Sequence, residues 1–172
     1  IVNNHAAGYI GGIDVMATTA TITNLTVTGN TSGGGGGIGI SDNGNVDITN
    51  SIVWNNTGTE VMLLNSSASV TYSDIQGGYT GIGNINADPL FIDADAGDYG
   101  LQMDSPCIDA GTADLNQDGV ADIIEYMGIS PDMGAFEVIF ALSPPTNITF
   151  VPQTSSVLLM WNDVSESYSY MV

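Results

Sequence analysis

The chain has 172 residues, of which 43% are hydrophobic and 22 are glycine, so it carries enough apolar side chains to bury a core and is not expected to be disordered. It has 19 Asp and Glu but no Lys or Arg, and the formal net charge of −19 excludes nucleic acid and anionic membrane surfaces as partners, because basic side chains make most phosphate contacts. Its one cysteine, Cys107, excludes an internal disulfide, and no apolar run approaches the roughly 18 residues of a membrane span.

A strand pattern repeats through the first 85 residues. Asparagine recurs every 26 residues, at Asn4, Asn30 and Asn56, and the triplet Ile-Thr-Asn occurs at 22–24 and again at 48–50. A related copy at 70–75 begins 22 residues after the second triplet. Between these copies, further short segments alternate or nearly alternate apolar side chains, which is typical of strands with one buried face. Those segments are residues 12–15, 37–40 and 60–64.

This period of 22 to 26 residues predicts a parallel β-helix, a solenoid in which each repeat is one coil. One coil cannot bury its own apolar face, whereas coils stacked about 4.8 Å apart share a core and parallel ladders. We expect the three asparagines to stack, with side-chain amides bonded along the stack and backbones in the left-handed conformation at corners. The glycines at 33–37 fit a corner or an outward loop. A leucine-rich repeat would need a leucine spacing and a helical segment that are absent, and a β-sandwich would not need asparagine at a constant phase.

From residue 86 the repeat gives way to three phrases: ADPLFID at 87–93, DSPCIDAG at 104–111 and DMGAFE at 132–137. In this order they resemble the C-terminal segment of bacterial right-handed β-helix surface proteins. The resemblance covers about residues 1–138 and implies a secreted, cell-surface protein whose last coil is covered by an atypical terminal segment. It implies structural roles for Pro89, Leu90, Phe91, Ile92, Cys107, Ile108, Met133 and Phe136.

After a proline boundary at 143–146, residues 147–150 and 156–162 predict two strands. The spacing of Pro145, Trp161, Tyr168 and Tyr170 resembles the opening of a fibronectin type III domain. A complete sandwich needs about 100 residues, so this segment would be a truncated one. The predicted organisation is therefore all-β: parallel β-helix coils at 1–85, a cap at 86–140, and an incomplete fibronectin type III-like segment at 141–172.

The sharpest chemical motif is an acidic loop at 114–125, which matches the calcium-loop pattern D-x-[DN]-x-[DN]-G-x5-E. Carboxylate, amide and carbonyl oxygens at this spacing converge on one hard cation, and Gly119 permits the sharp turn. The alternative is a solvated acidic loop, since Asp, Asn and Gly also form plain turns. We expect calcium to stiffen the cap, with one or two helical turns at 122–127. The predicted ligands are Asp114, Asn116, Asp118, Val120 through its carbonyl, Asp122 and Glu125.

An enzyme is not expected. Lyases of this fold typically use Lys or Arg as the base, and the chain has neither. Hydrolysis needs two facing carboxylates, and no two of the coil acids share a strand phase on adjacent coils. His5 stands alone and is expected to be structural, as is a buried Cys107. The coil acids are Asp14, Asp42, Asp47, Glu60 and Asp74.

These features predict a structural or adhesive module of a secreted surface protein, with carbohydrate or other surface proteins as partners. One alternative is a carbohydrate-binding or polysaccharide-degrading β-helix whose site lies partly outside the sequence, for which Trp54, Tyr72 and Tyr79 could form an aromatic platform. Outward-pointing Trp54 could instead pack against a neighbouring corner. A second alternative is a filament subunit that associates end to end through an unpaired strand edge.

Overall fold

A computed structural model describes residues 1–139, 149–152 and 157–160. The described residues contain β-strands and no helix, so this part of the chain is all-β as predicted. They belong to two compact units, residues 1–138 and 139–172.

Within the first unit, nine short strands form three parallel sheets. Every third strand along the chain belongs to the same sheet: the first sheet is β1-β4-β7, the second is β2-β5-β8 and the third is β3-β6-β9. We call the consecutive strands β1–β3, β4–β6 and β7–β9 the first, second and third triplets; each triplet contributes one strand to each sheet. Paired residues lie 22 to 26 positions apart, as in Ile13↔Ile38, Thr26↔Ile52 and Ile52↔Asp74, which reproduces the sequence repeat. The strands are β1 Ile13–Met16, β2 Thr19–Thr23, β3 Thr26–Thr28, β4 Ile38–Ser41, β5 Asn45–Thr49, β6 Ile52–Trp54, β7 Val61–Leu64, β8 Ser67–Thr71 and β9 Asp74–Ile75.

Each triplet has three strands, whereas the sequence pattern suggested two. In each triplet the second strand (β2, β5 or β8) is followed by a break at a residue with positive φ, namely Asn24, Asn50 or Tyr72. Asparagine adopts this left-handed conformation more readily than most residues, and the break sends the next strand into a separate sheet. The repeated Ile-Thr-Asn triplet therefore ends β2 and β5 at a corner.

The inward faces of the three sheets share one apolar core. Its β-branched residues stack in register because equivalent positions of successive triplets pair directly. Burial of each such side chain stabilises the fold by roughly 1.5–3 kcal/mol relative to exposure. The core consists of Val15, Ile22, Val27, Ile38, Ile40, Val46, Ile48, Val53, Val70 and Ile75.

The predicted asparagine stack is present and runs beside the third sheet. The amide nitrogen and Nδ2 of Asn4 both donate to Asn30 Oδ1, at 3.0 and 2.8 Å. Asn30 donates in the same way to Asn56 Oδ1, at 2.9 Å for each bond. The positive φ falls one position earlier, at Asn3, Gly29 and Asn55, so the expectation that the stacked asparagines themselves occupy the left-handed corner was wrong. The bend at the preceding residue leaves the stacked amide free to bond along the ladder.

The glycine run at 33–37 is a corner where backbones of successive triplets touch. A Cβ on Gly36 would overlap the carbonyl oxygen of Asn30 and the amide nitrogen of Thr57, and one on Gly37 would overlap the carbonyl oxygen of Glu60. Both glycines are buried. Glycine is therefore required here by close backbone approach, which the interpretation as an outward loop did not anticipate.

The segment after β9 covers the end of the third triplet. Tyr72 and Ile75 donate their amides to the carbonyls of Ile82 and Ile85, at 2.8 and 3.1 Å. Tyr79 packs against the inner core. Residues 76–85, which precede the predicted cap, therefore cover the end of the apolar core at the third triplet.

Residues 86–138 pack on the outward face of the third sheet rather than over the end of the last triplet, which corrects the predicted position of the cap. Buried Ile52 of β6 forms a second apolar cluster with Leu101, Cys107 and Met133. The amide of Ala135 donates to Thr26 Oγ1 of β3 at 3.0 Å. Two antiparallel strands, β10 Phe91–Asp93 and β11 Asp98–Leu101, form the hairpin of this segment.

Within the cap, carboxylates accept backbone amides from distant parts of the segment. Asp132 accepts from the amides of Asp109 and Val138, at 2.8 and 2.7 Å, and burial raises its pKa while these bonds oppose the rise. Of the residues given structural roles by the resemblance, Cys107 and Met133 are fully buried. Ile92 and Phe136, which were assigned structural roles as well, are 54% and 50% exposed.

In the second unit, strands β12 Thr149–Pro152 and β13 Val157–Met160 pair antiparallel. Two strands were predicted in this region: the one at 147–150 overlaps β12 at 149–150, and the one at 156–162 contains β13. Pro145, Trp161, Tyr168 and Tyr170, which carry the fibronectin type III resemblance, lie outside the described residues.

Candidate functional site

The acidic loop at 114–125 is closed at a neck and anchored to the strands. The amides of Asp122 and Ile123 both donate to the carbonyl of Ala113, at 2.7 and 3.0 Å. Next to the neck, Thr112 and the corner residue Asn50 exchange two hydrogen bonds of 2.8 Å each. The base of the loop is therefore fixed to the corner that follows β5.

Inside the loop, the oxygens of the first three predicted ligands gather around backbone amides. Asp114 Oδ1 and Asn116 Oδ1 both accept from the amide of Asp118, at 3.1 and 3.0 Å, and Asp118 Oδ1 accepts from Val120 at 2.9 Å. Gly119 has a φ of +88°, the sharp turn that the motif predicts. Since hard cations prefer oxygen ligands, this donor set is chemically suited to calcium.

Two of the remaining predicted ligands, Asp122 and Glu125, make no hydrogen bond to Asp114, Asn116 or Asp118. Asp122 Oδ2 accepts the amide of Leu115 at 2.9 Å, and Glu125 is exposed. Among the described residues, no three His, Cys, Asp or Glu side chains form an arrangement that could hold a metal ion. Coordination of calcium by the full motif would require exposed Glu125 to move toward these oxygens.

The helical turns expected at 122–127 do not form. The amides of Asp122 and Ile123 are used to close the loop, and the amide of Met127 donates to Glu137 Oε1 at 2.9 Å. An α-helix would need the Met127 amide for the carbonyl four residues earlier. Long-range bonding thus takes precedence over local helix formation.

The five acids of the coils do not form a facing pair in the sheets. Asp14 pairs with Gly39, Asp47 lies between Thr21 and Ser69, and Asp74 pairs with Ile52. Asp14, Asp42 and Asp47 are exposed, whereas Glu60 and Asp74 are buried. The two buried acids have structural partners.

Glu60 terminates the asparagine ladder. Its Oε1 and Oε2 accept the amide and Nδ2 of Asn56, at 3.0 and 2.6 Å, so the carboxylate takes the place that the next asparagine would fill. Burial raises the pKa of Glu60, and the bonds from Asn56 oppose the rise. The sequence indicates the end of the ladder, because no fourth asparagine follows Asn56 at the equivalent position of the next repeat.

Asp74 fastens the cap to β9. Its Oδ1 accepts the amide of Ala87 at 3.2 Å, and its Oδ2 accepts the Cys107 thiol at 3.4 Å. Burial raises the pKa of the Asp74 carboxyl from 3.8 to about 6. Burial, together with the neighbouring Asp74 charge, raises the pKa of the Cys107 thiol well above its usual range, which disfavours the reactive thiolate.

The three aromatic residues proposed as a platform do not share a surface. Trp54 and Tyr72 pack against the second apolar cluster, and Tyr79 packs against the inner core. Trp54 thus points outward as predicted but is half-buried beneath the cap. His5 is exposed, with Nδ1 2.8 Å from Thr31 Oγ1. Sequence reasoning missed Tyr9, the most exposed aromatic residue in the described part of the chain, because it lies in no alternating segment.

The described residues include no helix of the length and apolarity that a membrane span requires. No known protein family, characterised protein or solved structure matches this chain.

Proposed function

We propose that the chain is a right-handed parallel β-helix module with a structural or adhesive, non-catalytic role in a secreted bacterial cell-surface protein. The observation that carries the proposal is the set of three parallel sheets whose paired residues lie 22 to 26 positions apart. Such an arrangement extends by adding repeats and makes a rigid spacer, because each coil rests on its neighbour. The segment at 141–172 begins a fibronectin type III-like domain in this proposal.

The use of the buried acids supports a non-catalytic role. Glu60 ends the asparagine ladder and Asp74 fastens the cap, so both carboxylates serve packing contacts. Cys107 is held as a neutral, buried thiol. The three sequence motifs at 87–93, 104–111 and 132–137, which resemble the C-terminal segment of bacterial β-helix surface proteins, support the assignment to secreted surface proteins.

Calcium is proposed as the ion that stiffens the acidic loop. The gathered oxygens of Asp114, Asn116 and Asp118 and the positive φ of Gly119 support this role. A bound ion would lock a loop that is fastened to Asn50, and would thereby reinforce the contact between the cap and the strands.

The test is calorimetric calcium titration of the full chain, followed by thermal melts in calcium and in chelator. We expect saturable binding and a raised melting temperature, both lost in Asp118→Ala and retained in Asp95→Ala, a matched change at an exposed acid outside the loop. No heat and an unchanged melt would remove calcium from the proposal. Digestion by proteinase K at 37 °C as fast as an unfolded control, even in calcium, would contradict the scaffold role.

A further inference from the structure

The outward face of the first sheet carries an open groove of about 290 Å³. Its floor comes from two outward rows that cross the sheet, Asp14–Gly39–Met62 and Met16–Ser41–Leu64. Met16 is 56% exposed and Leu64 46%, so apolar surface faces solvent here. Apolar patches rimmed by polar groups commonly mark binding sites.

Tyr9 forms one wall of the groove and is 74% exposed. Gly34 makes room for the Tyr9 ring, and Gly39 makes room for the neighbouring Ile10 side chain. A Cβ at Gly34 would lie 3.0 Å from Tyr9 Cδ1, and one at Gly39 would overlap Ile10 Cδ1. The ring is thus seated against bare backbone and presents its remaining surface to solvent.

The polar side chains around the groove make no hydrogen bonds within the described part of the chain, in contrast to the asparagine ladder and the cap. All five are free to bind a ligand through hydroxyl, carboxylate or amide groups. They are the hydroxyls of Tyr9 and Ser41, the carboxylates of Asp14 and Asp42, and the amide of Asn65.

We propose that this groove binds a neutral saccharide. An aromatic wall and an apolar floor suit the C–H faces of sugar rings, while carboxylates and amides bond their hydroxyls. The volume lies just below the roughly 300–1,000 Å³ typical of ligand sites, which fits one or two sugar rings and not the apolar face of a peptide helix. The lack of Lys and Arg favours uncharged sugars over acidic ones. The inference rests on the adhesive part of the proposed function and names its ligand class.

The experiment is saturation-transfer difference NMR of the full chain with cellobiose, maltose and lactose as probes. We expect saturation transfer to at least one of them, with affinity reduced about fivefold in Tyr9→Ala, since an aromatic contact of this kind contributes on the order of 1 kcal/mol. Met16→Gln should weaken binding, whereas Met103→Gln should not, because Met103 is similarly exposed, at 60%, but lies outside the groove. Asp14→Asn should weaken binding more than Asp47→Asn, an equal charge change on another sheet.

No transfer to any of the three sugars would overturn the proposal, as would unchanged binding in Tyr9→Ala with an unchanged melting curve. Binding of a basic amphipathic peptide that is sensitive to Met16→Gln and weakens with added salt, in the absence of sugar binding, would assign the groove to a protein partner instead. Each of these results leaves the protease resistance of the scaffold unaffected, so failure of the groove and failure of the scaffold are separate outcomes.

Discussion

Replacing Asp74 with asparagine should stabilise the chain at neutral pH. The carboxyl is fully buried, and its pKa is raised from 3.8 to about 6 by burial. A raised acid pKa means that the folded state holds the proton more tightly than the unfolded state does. The resulting penalty is absent below pH 3.8, grows as pH rises, and is complete above about pH 6, where it amounts to about 3 kcal/mol.

Asparagine keeps the shape of the side chain and an oxygen that can accept the Ala87 amide, but it loses the bond from the Cys107 thiol. We therefore expect a net gain of about 1–3 kcal/mol at pH 7.5. At pH 5 part of the wild-type penalty is already relieved, so the difference between variant and wild type should shrink there by about 1–1.5 kcal/mol. Measurements below pH 5 are unsuitable, since the pI is about 4.1.

The assay is urea unfolding followed by circular dichroism at pH 5 and pH 7.5 for wild type, Asp74→Asn and Asp47→Asn. Asp47 is exposed on a neighbouring sheet, so its replacement reports the general effect of removing one negative charge. The reasoning would be refuted if Asp74→Asn behaved like Asp47→Asn, or if its stability difference from wild type did not change between the two pH values.

Two further substitutions test the contacts between triplets, both by urea unfolding at pH 7.5. Gly36→Ala should destabilise the chain by about 2–4 kcal/mol, because its Cβ would overlap backbone atoms of Asn30 and Thr57, while Gly33→Ala should be close to neutral, since its Cβ would meet nothing nearer than 3.7 Å. Equal effects of the two alanines would argue against close backbone approach at the corner. Asn30→Ala should remove about 2–4 kcal/mol, because buried partners lose their bonds, and Asn4→Ala at the exposed end of the ladder should remove about 1 kcal/mol or less. A larger loss from Asn4→Ala would show that the ladder is not the stabilising element.

The strand repeat could be predicted from sequence because successive triplets pair residue for residue. The register that joins Ile22, Ile48 and Val70 is the same alignment that the Ile-Thr-Asn triplets display. The asparagine stack followed from the constant 26-residue spacing. The sequence repeat was therefore sufficient to predict the structure wherever a residue pairs with the equivalent residue of the next repeat.

The position of the cap could not be predicted by analogy with a terminal repeat. Its signal was nonetheless present: Ile52 and Val53 are consecutive apolar residues in one strand, and such a pair indicates that both faces of the strand are buried. Asp74 continues the outward row of Ile52, yet nothing in an isolated aspartate marks it as buried. The fate of residues 122–127 depended on distant partners such as Ala113 and Glu137, which local helix signals do not include.

The cyclic order of the three parallel sheets can be tested most directly by cysteine cross-linking in the full chain. Thr21, Asp47 and Ser69 are exposed and lie on consecutive strands of one sheet, and the native Cys107 is buried. Neighbouring strands lie about 4.8 Å apart, within the range of a disulfide, whereas alternate strands lie about twice that distance apart. Upon oxidation, Thr21→Cys/Asp47→Cys should form an intramolecular disulfide and Thr21→Cys/Ser69→Cys should not. Preferential cross-linking of positions 21 and 69 would contradict the parallel stacking on which the proposed function rests.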